Sequence, residues 1–314
     1  MNKRKFTTAA ALVAAVVALL PACGTESGAV DAGDRGQVRL ALSLPRTDGA
    51  FFTELVAAAR AEAATQGVEL DVVDAGDDVG EQRSQLGTLA RQGAHALIVD
   101  AVETGPIAEW LATAEGRRVP VVAADRPLPG ADVASTVASD HDPGGRLAAE
   151  ALAEALEESG PVVVLRGGKA VSASRDRGAG FTARLGDFPG IEVVGAATAG
   201  FDRDRGADAM KDLLGEHPDL AGVFAENDEM ALGAVRALGD RAGDTVQVVG
   251  YDGTRDALAA IARGTLAASV AQQPAELGKV AVRNAVRAAR GEPVDARILV
   301  PVSLVTADNV ADFR

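Results

Sequence analysis

From Gln37 onward the sequence alternates short apolar runs with amphipathic stretches, and the apolar runs do not alternate with polar residues. Val38–Leu44, Val68–Val73, Ala96–Val99 and Val119–Ala123 read as strands. Helices over Phe51–Gln66, Gly80–Gln92 and Pro106–Ala114 separate them. In the first helix Phe52, Leu55, Val56, Ala59 and Ala63 recur at helical spacing. Gly67, Gly93 and Gly116 stand where helix C-caps would put them. Strands that are apolar on both faces belong to a parallel sheet covered by helices on both sides. The expected fold class is α/β, with doubly wound parallel sheets.

A second series follows the first. Val133–Ala138 reads as a further strand, then helix Gly144–Glu158, strand Pro161–Leu165, helix Ser174–Gly186, strand Ile191–Ala196 and helix Arg203–Leu214. Strand Gly222–Ala225 and strand Val246–Gly250 flank a helix with Met230, Ala231, Ala234, Val235 and Leu238 on one face. Helix Thr254–Arg263, strand Thr265–Ala271, a long helix Pro274–Arg290 and an extended segment Arg297–Val305 complete the chain. Two similar α/β halves in tandem point to one architecture used twice.

The N-terminus reads as a targeting segment. Lys3, Arg4 and Lys5 precede an apolar run, Thr8–Leu20, that is short for a membrane-spanning helix. Leu20-Pro21-Ala22-Cys23 then looks like a lipoprotein processing site, with Cys23 the lipidated residue. Gly24–Gly36 would be a flexible tether. Cys23 is the single cysteine in 314 residues, which excludes a disulfide framework and a Cys-based metal site. Removing residues 1–22 leaves roughly 292, enough for two domains. Asp and Glu number 45 against 31 Lys and Arg, which argues against nucleic acid as a partner.

No arrangement for catalysis stands out. His95, His141 and His217 are scattered and read as structural residues. There is no G-x-S-x-G elbow, and Gly168-Lys169 lacks the remainder of a phosphate loop. What remains is a set of polar and aromatic residues at strand ends and helix starts: Ser43, Phe51, Phe52, Asp125, Arg126, Arg175, Phe201, Asn227, Asp252 and Gln272. Asn227 and Asp252 close two strands of one βαβ unit, and ligands of open α/β sheets sit beyond such strand ends. The chain holds eight Phe, one Tyr and one Trp, and Phe51, Phe52, Phe201 and Tyr251 all fall at such junctions.

Within this unit, Asn227–Gly233 reads NDEMALG and Val248–Gly253 reads VVGYDG. This wording resembles the sugar-binding proteins of bacterial ABC importers, above all the ribose-binding protein family, whose architecture is the type I periplasmic binding protein fold. LacI-type repressors share the fold with a weaker form of the pattern. The resemblance spans essentially Gln37–Val305. It implies two lobes joined by a three-segment hinge, with crossings near Ser139-Asp140, Gln272-Gln273 and Pro301. Residues 37–139 with 273–300 would form the first lobe, and 140–272 with 301–314 the second.

The resemblance also implies that the ten residues above contact a monosaccharide. Ser43, Phe51, Phe52, Asp125 and Arg126 would come from the first lobe. Arg175, Phe201, Asn227 and Asp252 would come from the second, and Gln272 from the hinge. The chemistry suits a sugar. Carboxylates accept from hydroxyls, guanidinium forks donate, amides do both, and aromatic rings cover C–H faces. One departure concerns an asparagine that the family places shortly before its Phe pair. Here the loop Leu44–Ala50 is about two residues longer, with Asp48 and Gly49 nearby, so that one hydroxyl contact is lost or remade. The expectation is a monomeric, lipid-anchored, extracytoplasmic substrate-binding protein that is not an enzyme and needs no cofactor or metal. Its ligand would be a monosaccharide, ribose first. It would deliver that sugar to ABC permease subunits driven by a cytoplasmic ATPase. One alternative is a sensing module that presents its liganded form to a membrane receptor. A regulator core is a weaker alternative, because a signal segment stands where a DNA-binding helix pair would be needed.

Overall fold

The computed structural model describes residues 37–113 and 115–313. The expected signal segment, the expected lipidation residue Cys23 and the expected tether lie outside the described residues. In chain order the first lobe builds β1 (Arg39–Leu44), α1 (Ala50–Gln66), β2 (Glu69–Asp74), α2 (Val79–Arg91), β3 (Ala96–Val99), α3 (Thr104–Leu111), β4 (Val121–Ala124) and β5 (Ser135–Ser139). The chain continues through α4 (His141–Ala155), β6 (Gly160–Arg166), α5 (Ser172–Leu185), β7 (Ile191–Thr198), α6 (Arg203–Glu216), β8 (Gly222–Ala225), α7 (Asp228–Leu238), β9 (Gln247–Asp252), α8 (Arg255–Ala262) and β10 (Ala268–Ala271). It ends with α9 (Pro274–Ala289), β11 (Arg297–Val300) and β12 (Ser303–Thr306).

These strands form two six-stranded sheets, ordered β11-β5-β4-β3-β1-β2 and β12-β10-β9-β8-β6-β7. The central strands β3, β4, β8 and β10 are buried at every residue, as expected of parallel strands covered on both faces. The edge strands β2 and β7 carry exposed charges at Glu69 and Glu192, which discourages pairing with another chain. The extended segment Arg297–Val305 is not one strand. It breaks at Pro301, β11 pairing parallel to β5 and β12 antiparallel to β10. The second sheet therefore has an antiparallel edge.

Helix α9 packs on α1 and on β3 and β4, burying Leu277, Ala281, Val282, Ala285 and Val286. Burial of each larger aliphatic side chain contributes about 1.5–3 kcal/mol. Helices α4 and α5 approach so closely that a Cβ on Gly145 would collide with the Arg177 carbonyl oxygen. A Cβ on Gly180 would collide with that of Asp142. This packing brings α5, and with it Arg177, against the start of α4. Helix α4 begins at His141 rather than Gly144. Pro143 occupies its first turn, where a missing N–H costs nothing.

Candidate functional site

In both sheets the strand order reverses beside the first strand of the lobe, at β1/β3 and at β6/β8. Loops at such a switch point diverge and leave a crevice. The two crevices face each other across a cavity of about 350 Å³. Phe51 and Phe52, at the start of α1, and Asp125 and Arg126, after β4, line it from the first lobe. Phe201, Asn227 and Asp252 line it from the second, and Gln272 from the crossing after β10.

Ser43 and Arg175 do not line this cavity. Ser43 lies behind it, fully buried, with its Oγ beside Gln82 Nε2 at 3.3 Å. Gln82 also donates to the Asp100 carbonyl at 2.7 Å and accepts from the Val102 N–H at 2.8 Å, so it braces the loop after β3. Arg175 is not among the cavity-lining residues and donates to the Lys169 carbonyl. Arg177 takes the place in the cavity expected of Arg175. Residues two apart on a helix face different ways, and Ser174, Arg177 and Phe181 share the buried face of α5. That phase was available in the sequence. Tyr251 is also not at the surface of the site; it is fully buried in β9.

Arg177 is held on several sides. Its guanidinium lies 4.0 Å from the centre of the Tyr251 ring, Nη1 donates to the Glu226 carbonyl at 2.7 Å, and Nη1 meets Asp252 Oδ1 at 3.4 Å. Asp252 Oδ1 also accepts from Gln272 Nε2 at 2.7 Å. Burial pushes the Asp252 carboxyl up to about 8, against the pull of Arg177. Behind it Asp228 accepts from Ser269 Oγ and from the N–H and hydroxyl of Thr254, which fixes the turn into α8.

In the first lobe Arg126 donates from Nη1 to the Ala101 carbonyl at 2.6 Å, and its Nε lies 3.2 Å from Asp100 and 3.7 Å from Asp125. Burial raises both carboxyls, Asp100 well above the usual range, while Arg126 opposes the rise. Asn227 caps α7. Its Oδ1 accepts from the Met230 N–H at 2.9 Å, so the amide faces the cavity mainly as a donor. The Phe201 ring rests on Gly167, where any side chain would overlap it. Asp125, Phe201 and Asp252 all adopt positive φ, at 59°, 61° and 124°. Non-glycine residues rarely do so, and such strain concentrates at ligand clamps.

Two features left few marks in the sequence. The N–H and hydroxyl of Thr104, at the start of α3, both donate to the Ala170 carbonyl across the cleft, at 3.0 and 3.1 Å. Arg126 of the first lobe lies 5.7 Å from the centre of the Phe201 ring of the second. Among the described residues no group of His, Cys, Asp and Glu could hold a metal ion, and no helix is long and apolar enough to cross a membrane.

Two α/β lobes on crossed-over chain segments, with acceptors, guanidinium groups and aromatic rings facing one cleft between them, have the architecture of a two-lobed binding protein. The chain belongs to the periplasmic binding protein family: residues 40–293 match the family described as "Periplasmic binding protein domain". It is 37% identical to the ribose import binding protein RbsB of Bacillus subtilis over 292 residues, covering 92% of this chain and 95% of that protein. It is 32% identical to a xylitol-binding protein of Mycolicibacterium smegmatis, covering 83% and 75%. Among solved structures, an ABC transporter solute binding protein from Bacillus halodurans with bound myo-inositol superposes with a TM-score of 0.84. That structure is 32% identical and covers 90% of this chain and 98% of that one.

Proposed function

We propose that this chain is the substrate-binding component of a sugar ABC importer, and that its ligand is a monosaccharide, ribose first. One observation carries the reading. The cavity is lined by two carboxyl groups, Asp125 and Asp252, and two guanidinium groups, Arg126 and Arg177, so a ligand whose hydroxyls hold both carboxyls ionised leaves the deep charge balanced. Asp125 Oδ1 and Gln272 Oε1 are buried without a hydrogen-bond partner in the protein. A neutral ligand rich in hydroxyls satisfies those acceptors, whereas a sugar phosphate or an amino sugar would upset the balance. Phe51, Phe52 and Phe201 suit its C–H faces. The ligand stabilises the closed form because both lobes then contribute contacts.

The test is a melting-temperature screen of purified protein with ribose, xylitol, myo-inositol, glucose and ribose 5-phosphate. Ribose at a hundredfold excess over its Kd stabilises the folded state by about 2.7 kcal/mol. A shift with another sugar and not with ribose overturns the choice of ligand. No shift with any of them overturns the reading as a sugar binder.

The anchor belongs to the same reading. Lipid on Cys23 holds the protein at the outer face of the cytoplasmic membrane, from where it meets the permease. A single acyl chain binds a membrane only marginally, so stable attachment needs more than one. Cys23→Ser releases the protein or leaves it unprocessed. A soluble wild type with no lipid mass on its N-terminal peptide would show that the anchor is absent.

A further inference from the structure

Of the three histidines, His141 occupies a position unlike the others. It opens α4 just after the chain leaves the first sheet, and it is 3% exposed. One ring nitrogen, Nε2, lies 3.3 Å from the carbonyl oxygen of Asp125 in the first lobe. The other, Nδ1, lies 3.3 Å from Nε of Arg177 in the second lobe, with the Tyr251 hydroxyl at 3.4 Å. Each contact dictates what the ring must carry. A carbonyl oxygen only accepts, so Nε2 holds the proton. An arginine Nε–H only donates, so Nδ1 presents its lone pair. Both demands select the same neutral tautomer.

We propose that His141 is a positioning residue for ligand binding, a neutral imidazole that sets Asp125 and Arg177 relative to one another across the two lobes. On one side its Nε2–H orients the peptide between Asp125 and Arg126, at a backbone position held at positive φ. Both of those side chains line the cavity. On the other side its lone pair fixes the Nε edge of Arg177, leaving the Nη groups for the Glu226 carbonyl, Asp252 and the cavity. One ring thus ties the charged groups of the first lobe to those of the second. The inference rests on the sugar-binding reading for its consequence, and on the tautomer for its geometry.

The surroundings keep the ring uncharged. Arg177 from α5 and Arg126 after β4 both repel a proton on it, and burial adds to them. Tyr251 from β9 offers a hydroxyl, Asp125 offers its carbonyl, and Asp252 stands behind Arg177. Desolvation is the largest of these effects and holds His141 well below its ordinary range. An imidazolium would also turn a second N–H against the Arg177 Nε–H.

Two measurements test this. The first needs no ligand: 15N NMR of the unliganded protein, with the His141 ring identified by its loss in His141→Gln. The expected spectrum has a protonated Nε2 and a bare Nδ1, unchanged between pH 5 and 8. A ring that titrates in that range, or one protonated on Nδ1, overturns the proposal. The second is calorimetric titration with ribose, or with whichever sugar the screen identifies. His141→Leu weakens binding at least tenfold. His141→Gln, which keeps one donor and one acceptor, recovers most of that loss. Binding by His141→Leu within twofold of wild type, or no recovery by His141→Gln, also overturns it. If His141→Leu does not fold, the wild-type spectrum decides. If wild type binds no sugar, the sugar-binding reading fails and the spectrum alone judges the bridge.

Discussion

Gln272 donates to Asp252 Oδ1 at 2.7 Å, so a residue at a chain crossing grips the carboxylate that closes β9. Gln272 Oε1 is left without a partner in the protein. A change in the hinge therefore reaches the carboxylate directly, and a ligand on that carboxylate reaches the hinge.

Asp252 should give binding a proton signature. An unfolded aspartate titrates near 3.9, and burial holds this one up to about 8 in the folded protein. Between about pH 4 and 8 the unfolded chain has lost the proton while the folded one keeps it. Wild type therefore loses stability relative to Asp252→Asn as pH rises through that window, and the difference levels off above about 8. Sugar hydroxyls that donate to the anion draw the carboxyl back down, so binding at pH 7 expels a proton. Titrations in buffers of different ionisation enthalpy give different heats for wild type and equal heats for Asp252→Asn, whose affinity falls at least about tenfold. Equal heats for wild type would remove Asp252 from contact with the ligand.

Arg177 and Arg175 make a paired test. Losing charge-assisted hydrogen bonds worth roughly 1.5–3 kcal/mol each means that Arg177→Met weakens sugar binding by about tenfold to a hundredfold. It also lowers the melting temperature of the unliganded protein, because the stacking on Tyr251 contributes up to about 2 kcal/mol. Arg175→Met, outside the cavity, changes affinity by less than about twofold. The opposite ranking in calorimetry would return Arg175 to the site.

Two glycine substitutions should move stability in opposite directions. Gly145→Ala forces α4 away from the Arg177 carbonyl, and overpacking of this kind costs about 1–3 kcal/mol. At about 2–4 °C per kcal/mol the loss is easily read in a melting curve. Because the displaced carbonyl belongs to Arg177, affinity drops as well. Gly215→Ala, on an exposed face of α6 with open space around it, raises stability by roughly 0.5–1 kcal/mol through helix propensity alone. Equal melting temperatures for the two variants would show that the close approach of α4 and α5 is not rigid.

The strands were legible because parallel strands are apolar throughout, and the helices because their apolar residues recur at 3.6-residue spacing. Boundaries slipped where a side chain outside the periodic pattern began the helix, as His141 and Pro143 do in α4. Residues at strand ends were legible as candidates, since position in the fold decides where Asp125, Asn227 and Asp252 point. Arg177, rather than Arg175, reaches the cavity because it shares the buried face of α5 with Ser174 and Phe181, a phase that residue type alone does not reveal. The place of Ser43 behind the cavity is not legible in the sequence, because the brace formed by Gln82 joins segments 39 residues apart. The contacts of Thr104 with Ala170, and of His141 with Asp125 and Arg177, were not legible, because they depend on how the two lobes meet.

The Thr104–Ala170 contact sets a trade-off between grip and fidelity. If the lobes open and close on a ligand as proposed, its two hydrogen bonds, which join protein to protein, favour the shut molecule whatever it holds, by about 1 kcal/mol each. A larger standing population of shut molecules raises apparent affinity, because less of the binding energy goes into closing. The same population makes shutting a poorer report of cargo, since an occupant can shift the balance only by the difference between its affinities for the two forms. Loosening one carbonyl at the mouth of the cleft would make the protein a weaker collector whose shape reports its cargo more truthfully.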